Sequence, residues 1–225
     1  MLNTFILTFR ELLTHPRNVV DHFLEADEKK YTHPFLFLIL GAIVVTFLNT
    51  LLVDFSFEPV LTEFDSDNEQ MQEIGSWIQV STVRATTQFL PFSAALLLVP
   101  MLAFGGLFFF RDYLAGFFNL LVLNSYAVGI SMLFQLALIP FWMFSGVEMN
   151  DPLANSTLPA LALGMPILWI YKSYIMNTSF LVWIRIISTF IIGYVLFSIL
   201  IGFAAGVIGY MIYAIDRIGE LSDSL

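Results

Sequence analysis

Cysteine is absent from the 225 residues. No disulfide, thiolate metal site or catalytic thiol can exist in such a chain. Charge is scarce as well. Nine Lys and Arg with 18 Asp and Glu make up 12% of the residues, about half the ~25% of an ordinary soluble domain. Apolar residues make up 58%, with 24 Phe among them. A soluble fold of this size has nowhere to bury that much apolar surface. These shortages exclude a soluble enzyme and a disordered tail, and place the chain in the membrane class. Bases are the rarer sign and the formal net charge is −9. The basic footprint that a nucleic-acid partner needs is therefore missing.

The few charges fall in clusters, and the gaps between them set the architecture. Uncharged runs of 23 residues (Lys30 to Asp54), 26 (Arg84 to Arg111), 35 (Asp112 to Glu148), 20 (Asp151 to Lys172) and 30 (Arg185 to Asp216) meet the ~20 residues that cross ~30 Å of hydrocarbon. The run between Lys172 and Arg185 holds 12 residues and is too short. Spans are predicted at Pro34–Val53, Phe89–Phe110, Leu121–Phe144, Leu158–Tyr171 with flanking residues, and Ile187–Ile215. The runs are apolar on all sides and lack the polar–apolar alternation of barrel strands. The expected fold is all-α: a polytopic transmembrane bundle of about five spans behind an amphipathic interfacial segment. Residues 1–33 form that segment, 34–215 the membrane domain with an acidic outer loop at 54–84, and 216–225 an outer tail.

Orientation follows from Lys and Arg. With the N-terminus inside, seven bases (Arg10, Arg17, Lys29, Lys30, Arg111, Lys172, Arg185) fall inside and two (Arg84, Arg217) outside, as the positive-inside rule requires. Five spans then put the C-terminus outside. No signal peptide is expected, because Arg10, Glu11 and Arg17 interrupt the apolar stretch and no small-residue cleavage site follows.

Leu2, Phe5, Ile6, Phe9, Leu12 and Leu13 recur at steps of three and four and define one helical face, with Asn3, Thr4, Thr8, Arg10 and Glu11 assigned to the other. Pro16 restarts the helix, and Val19, Val20, Phe23 and Leu24 make a second apolar stripe. Two readings stand side by side: a pair of helices lying in the inner-leaflet interface, or the same pair packed on the inner ends of the spans. In the outer loop, Asp65-Ser66-Asp67-Asn68-Glu69 lacks the glycine and closing glutamate of an EF-hand. Met71, Ile74, Trp77 and Ile78 suggest an amphipathic turn leading into the second span.

Span five carries Ser198, Gly202, Gly206 and Tyr210 at steps of four, with Ala205 and Gly209 beside them. Small residues at that spacing let helix backbones approach closely. The face is expected to make a close helix contact, within the chain or with a partner.

Ionisable residues in mid-membrane, the usual mark of a pump or transporter, are missing. The polar residues inside the spans are neutral: Asn49, Asn124, Ser125, Ser131 and Gln135. Asn124, Ser125 and Gln135 are candidates for lining a pathway, although a Gln inside a span also bridges helices. His15, His22 and His33 all precede the first span, so no axial haem ligand from His and no Ser-His-Asp arrangement is available within it. No His-Glu-x-x-His pattern, phosphate loop or pair of buried Asp exists. No catalytic, cofactor or metal residue is expected.

Residues 13–38 carry a lead-in motif: Pro16, Val19, Phe23, Leu24, then Lys29, Lys30 and Tyr31, then Pro34, Phe35 and Phe37 opening span one. It resembles the motif of an uncharacterised family of bacterial inner-membrane proteins. Longer members carry a zinc ribbon ahead of it, which is missing here. Ala26 stands where that family usually has Gly, and Glu28 where it has a base. The five-helix layout is similar to that of Yip1-type proteins. The resemblance implies a bacterial inner-membrane location and an inside N-terminus, and supplies no reaction. In physical terms Pro34 starts the span, Tyr31 and Phe35 sit at headgroup depth, and Lys29 and Lys30 face anionic lipid.

Three functions are weighed. The first is a non-catalytic scaffold or accessory subunit that contacts membrane lipids and other integral membrane proteins or itself. The alternative is a carrier or channel for a neutral or lipidic substrate. A membrane-embedded enzyme ranks last, because no acid–base constellation can be assembled.

Overall fold

A computed structural model describes residues 2–25, 30–52, 69–86, 88–114, 116–145, 157–176 and 179–223. Among these there are helices and no strands. Helices α1 (Leu2–Thr14) and α2 (Pro16–Glu25) precede α3 (Pro34–Leu52) and α4 (Glu69–Thr86). Next, α5 (Leu90–Ser93), a π-helical turn (Ala94–Leu98) and α6 (Val99–Phe109) run on as one rod. The chain continues through α7 (Phe117–Gln135), α8 (Leu138–Ser145), α9 (Leu158–Ile175) and α10 (Phe180–Asp223).

Five stretches are long and apolar enough to cross a bilayer: Pro34–Leu52, Leu90–Phe109, Phe117–Phe141, Leu158–Ile175 and Phe180–Ile215. Three of them lie inside uncharged gaps, and the fourth runs three residues past Lys172. The larger difference lies at the start of α10, which begins at Phe180 instead of Ile187. The 12-residue gap after Lys172 holds the end of α9 and the start of α10, and α10 can begin there because the second half of the gap is apolar and the charge that closes it is accommodated. Arg185 donates from Nη1 to the Phe109 carbonyl at 3.4 Å and lies 4.0 Å from Asp112.

Prolines mark the joints. Pro16 and Pro34 are the first residues of α2 and α3, and Pro91, Pro100 and Pro159 lie in first turns. At Pro16, Pro34, Pro91 and Pro159 the missing N–H costs no helical bond. The π turn runs up to Pro100, which has no N–H to give to the Leu96 carbonyl, and a widened turn absorbs the defect. Pro166 alone among these lies in the body of its helix, α9.

The packing defines two ends. Tyr174 of α9 donates to Asp21 of α2 at 2.9 Å, the Phe110 and Tyr171 rings are 5.3 Å apart, and Arg185 reaches Phe109. The end of α6, the end of α9 and the start of α10 thus share the face covered by α1 and α2, called the basal face below. Of the seven bases assigned to one side, six are on it: Arg10, Arg17, Lys30, Arg111, Lys172 and Arg185. Lys29 lies outside the described residues.

α7 is the hub and the most buried of the five spans, whereas α10 is the least buried. Glycines allow the tightest crossings. A Cβ built at Gly129 would lie 2.8 Å from the Phe37 ring, one at Gly193 would lie 3.0 Å from the Leu102 Cα, and one at Gly209 would lie 2.7 Å from the Ile78 Cα. The α7–α3, α10–α6 and α10–α4 pairs are set at these points.

Within the segment 54–84 the amphipathic turn at Met71, Ile74, Trp77 and Ile78 is part of a longer helix, α4, packed on α10 with Val80 buried. Its apolar residues are too few for a span and suit one sided contact with another helix. Thr8 is fully buried instead of facing outward. It follows Phe5 by three residues and precedes Leu12 by four, so it belongs to the inward stripe, while Leu2 and Ile6 are exposed.

Candidate functional site

Lead-in motif and basal layer. The segment around Pro16–Phe35 is drawn together by rings. Phe23 meets His33 edge-on at 4.9 Å, His33 tilts on Phe35 at 5.6 Å, and His22 meets Tyr31 edge-on at 5.2 Å. Lys30 Nζ lies 5.2 Å above the Tyr31 ring. Pro16 and Val19 are buried, and Pro34 is buried where α3 starts. Histidine here is a packing group between aromatic neighbours. Phe5 of α1 stacks on Phe37 of α3 at 4.8 Å.

Sequence reasoning missed the polar layer beneath. Thr8 Oγ1 donates to the Thr4 carbonyl at 2.7 Å and accepts from the Thr32 N–H at 2.8 Å. Tyr126 of α7 donates to the Thr32 carbonyl at 2.7 Å. Both backbone groups of Thr32, just outside the first turn of α3, are thereby satisfied without water. The only sequence signal was a threonine at a position of the inward stripe. Nearby, Tyr171 of α9 donates to Asn124 Oδ1 at 2.9 Å, and Asn124 Nδ2 donates to the Leu120 carbonyl at 2.8 Å. Arg17 Nε donates to Asp21 Oδ2 at 3.1 Å. This layer holds α1 and α2 to the bundle.

Asn124, Ser125 and Gln135 are brought onto α7 but not onto a common opening. Asn124 and Ser125 are fully buried, and Ser125 Oγ donates to its own helix at Leu121 O, 2.7 Å away. Gln135 is buried near the other end of α7, and its Nε2 has no hydrogen-bond partner. Ser131 Oγ lies 2.9 Å from Ala127 O and 2.8 Å from Leu163 O, and so joins α7 to α9.

The small-residue set of α10 splits. Ala205 is buried and Gly209 sits against the α4 backbone. Ser198, Gly202 and Tyr210 are exposed, and outside Gly202 and Gly206 there is nothing within 4 Å of an added Cβ. The tight contact that the spacing predicts is absent from this face within the chain. It falls one residue round the helix, at Gly209.

A groove of about 340 Å³ lies between α1, α7 and α9. Ile130 and Phe134 of α7 form one wall, Met165, Pro166 and Trp169 of α9 the other, and Leu13 of α1 closes the basal end. Pro166 explains it: with no N–H to give to Ala162 O, and a ring that crowds that carbonyl, the helix yields locally. Among the described residues no group of three or more His, Asp and Glu is placed to hold a metal ion.

Five apolar spanning helices with outward faces of Ile, Leu, Val and Phe define a class: a multi-pass α-helical membrane protein. Residues 3–46 match the family described as "Protein of unknown function (DUF3667)". The matched stretch is α1, α2, the lead-in motif and most of α3, the unit held by the Phe5–Phe37 and Thr8–Thr32 contacts. No curated protein and no solved structure matches the chain.

Proposed function

We propose that the protein is a non-catalytic scaffold or accessory subunit of a membrane complex, in the inner membrane of a bacterium, with a Yip1-like helix layout and the N-terminus inside. One observation carries the reading: α10 holds two glycines, Gly202 and Gly206, whose outer side is open, whereas Gly129, Gly164, Gly193 and Gly209 sit in tight crossings. An open glycine face flanked by exposed Phe203, Val207 and Ile199 suits a helix of another membrane protein or of a second copy, because dispersion and close backbone approach drive association in lipid. A photo-crosslinking residue at Ser198 is expected to yield one discrete protein adduct in native membranes, and Gly202→Leu to reduce it at least about tenfold, the effect of ~1.4 kcal/mol. The same residue at Phe47, exposed on α3, should yield none. Crosslinks to lipid alone at Ser198 would sink the scaffold reading and favour the carrier.

The six described bases on the basal face support its cytoplasmic placement. Cysteine labelling is clean in a chain without native Cys. Ser66→Cys should react with an impermeant thiol reagent in whole cells and Ser173→Cys should not. The reverse pattern would overturn the orientation.

A further inference from the structure

The groove between α7 and α9 is unused by the scaffold reading, and its chemistry is specific. We propose that it holds one acyl chain of an anionic phospholipid from the leaflet that meets the basal face, with the phosphate at Arg10 and Arg17. The shape comes first. Along α9 the groove runs from Ala162 to Trp169, seven residues and about 10 Å of helix, so it is elongated along the spans. Its lining is apolar, and it lies on the lipid side of the Pro166 distortion. A slot of this form suits a chain and not a compact solute.

Charge supplies the class of headgroup. Leu13 closes the basal end, and α1 places Arg10 three residues before it, on a neighbouring part of the helix surface. Arg10 is exposed and makes no ion pair among the described residues. Arg17, four residues after Leu13, is exposed and bonds Asp21 through Nε and Met176 Sδ through Nη1 at 3.3 Å, which leaves Nη2 as a donor. Arg10 on α1 and Arg17, which reaches Met176 just past the end of α9, set two guanidiniums at the basal ends of the helices that bound the groove, and guanidinium pairs with phosphate. Trp169, half exposed at the same end, suits headgroup depth.

Trp169 also reports on the site. The test uses the full chain in phosphatidylcholine nanodiscs at one copy per disc, with Trp77→Phe, Trp142→Phe and Trp183→Phe so that Trp169 is the one fluorophore. Brominated-acyl phosphatidylglycerol or brominated-acyl phosphatidylcholine is titrated as the quencher. Half-quenching is expected at about a thirtyfold lower mole fraction for the anionic lipid, the effect of two cations near the membrane surface. Arg10→Gln should cut that preference to about fivefold, the share of Arg17, and Arg10→Lys should keep most of it. Ala162→Phe, which fills the slot, should lower the quenching by both lipids. Arg10 is exposed, so its replacement leaves the fold intact even if Ala162→Phe does not. Equal mole fractions for the two lipids, or a preference that Arg10→Gln leaves unchanged, would overturn the proposal. So would quenching that weakens when two copies share a disc, because a second copy would then be the occupant.

Discussion

Gly209→Leu is expected to dislodge α4 from α10 and to cost about 3 kcal/mol or more, the upper range for overpacking a tight site. A Cβ at position 209 would meet the Ile78 Cα at 2.7 Å, the Ile78 nitrogen at 2.8 Å and the Trp77 carbonyl carbon at 2.9 Å. All three are backbone atoms, so no rotamer change relieves the clash and the helices must separate. Two readouts follow in mild detergent. The melting transition should fall, and trypsin should cut after Arg84, which is exposed on α4, at a much higher rate. Gly202→Leu and Gly206→Leu add the same bulk where nothing lies within 4 Å. They should leave both readouts unchanged in the isolated chain and affect only assembly. If Gly209→Leu melts and resists trypsin like the parent, the α4–α10 contact is not a close one.

Thr8→Val is expected to release α1 from the bundle. The substitution keeps the shape and removes the hydroxyl that accepts from the buried Thr32 N–H. A buried donor left unsatisfied costs about 1–3 kcal/mol, and α1 has few other polar ties. Hydrogen exchange should speed up over α1 and at Thr32 while α7 keeps its protection. Thr8→Ser should restore the parent rate. Tyr126→Phe removes the bond to the Thr32 carbonyl, and the two changes together should cost less than their sum, because both act on one peptide unit. Strict additivity would argue against a shared layer.

The spans were legible because lipid imposes a single rule on composition, and the gaps between charges record it. Pro34 as a helix start was legible for a similar reason, since a first-turn proline is a local signal, whereas the contacts of Phe23, Tyr31 and Phe35 with His22 and His33 were not. The helix at Glu69–Thr86 was less so. Its mean hydropathy is low, and what stabilises it is α10, more than a hundred residues away. Thr8 was placed outward because polarity was taken as exposure. The hydroxyl is inside because the backbone before Pro34 needs a partner there, a demand that exists only in three dimensions. The open glycines show the same limit. Gly202, Gly206 and Gly209 are alike in sequence, and only the position of α4 distinguishes the last. The groove was invisible until Pro166 was seen to lie within α9 beside α7.

The length of α10 has a consequence of its own. Between Arg185 and Asp216 lie 30 uncharged residues, about 45 Å of helix at 1.5 Å each. Matching ~30 Å of hydrocarbon by tilting alone would take about 48°, more than the ~40° that such helices adopt. Arg185 is held at the basal end by Phe109 and Asp112. At the ~20° tilt usual for such helices the surplus emerges on the other side, and Tyr210, about 38 Å along the axis from Arg185, then stands above the lipid there. The chain then works as a post: one end is moored, and the other carries α4 at the far surface. A partner that reads the Ser198–Tyr210 face must then bridge two environments, meeting Ser198 in acyl chains and Tyr210 beyond them. A thicker bilayer would cover more of the post and a thinner one less, so the amount of exposed face varies with the membrane around it.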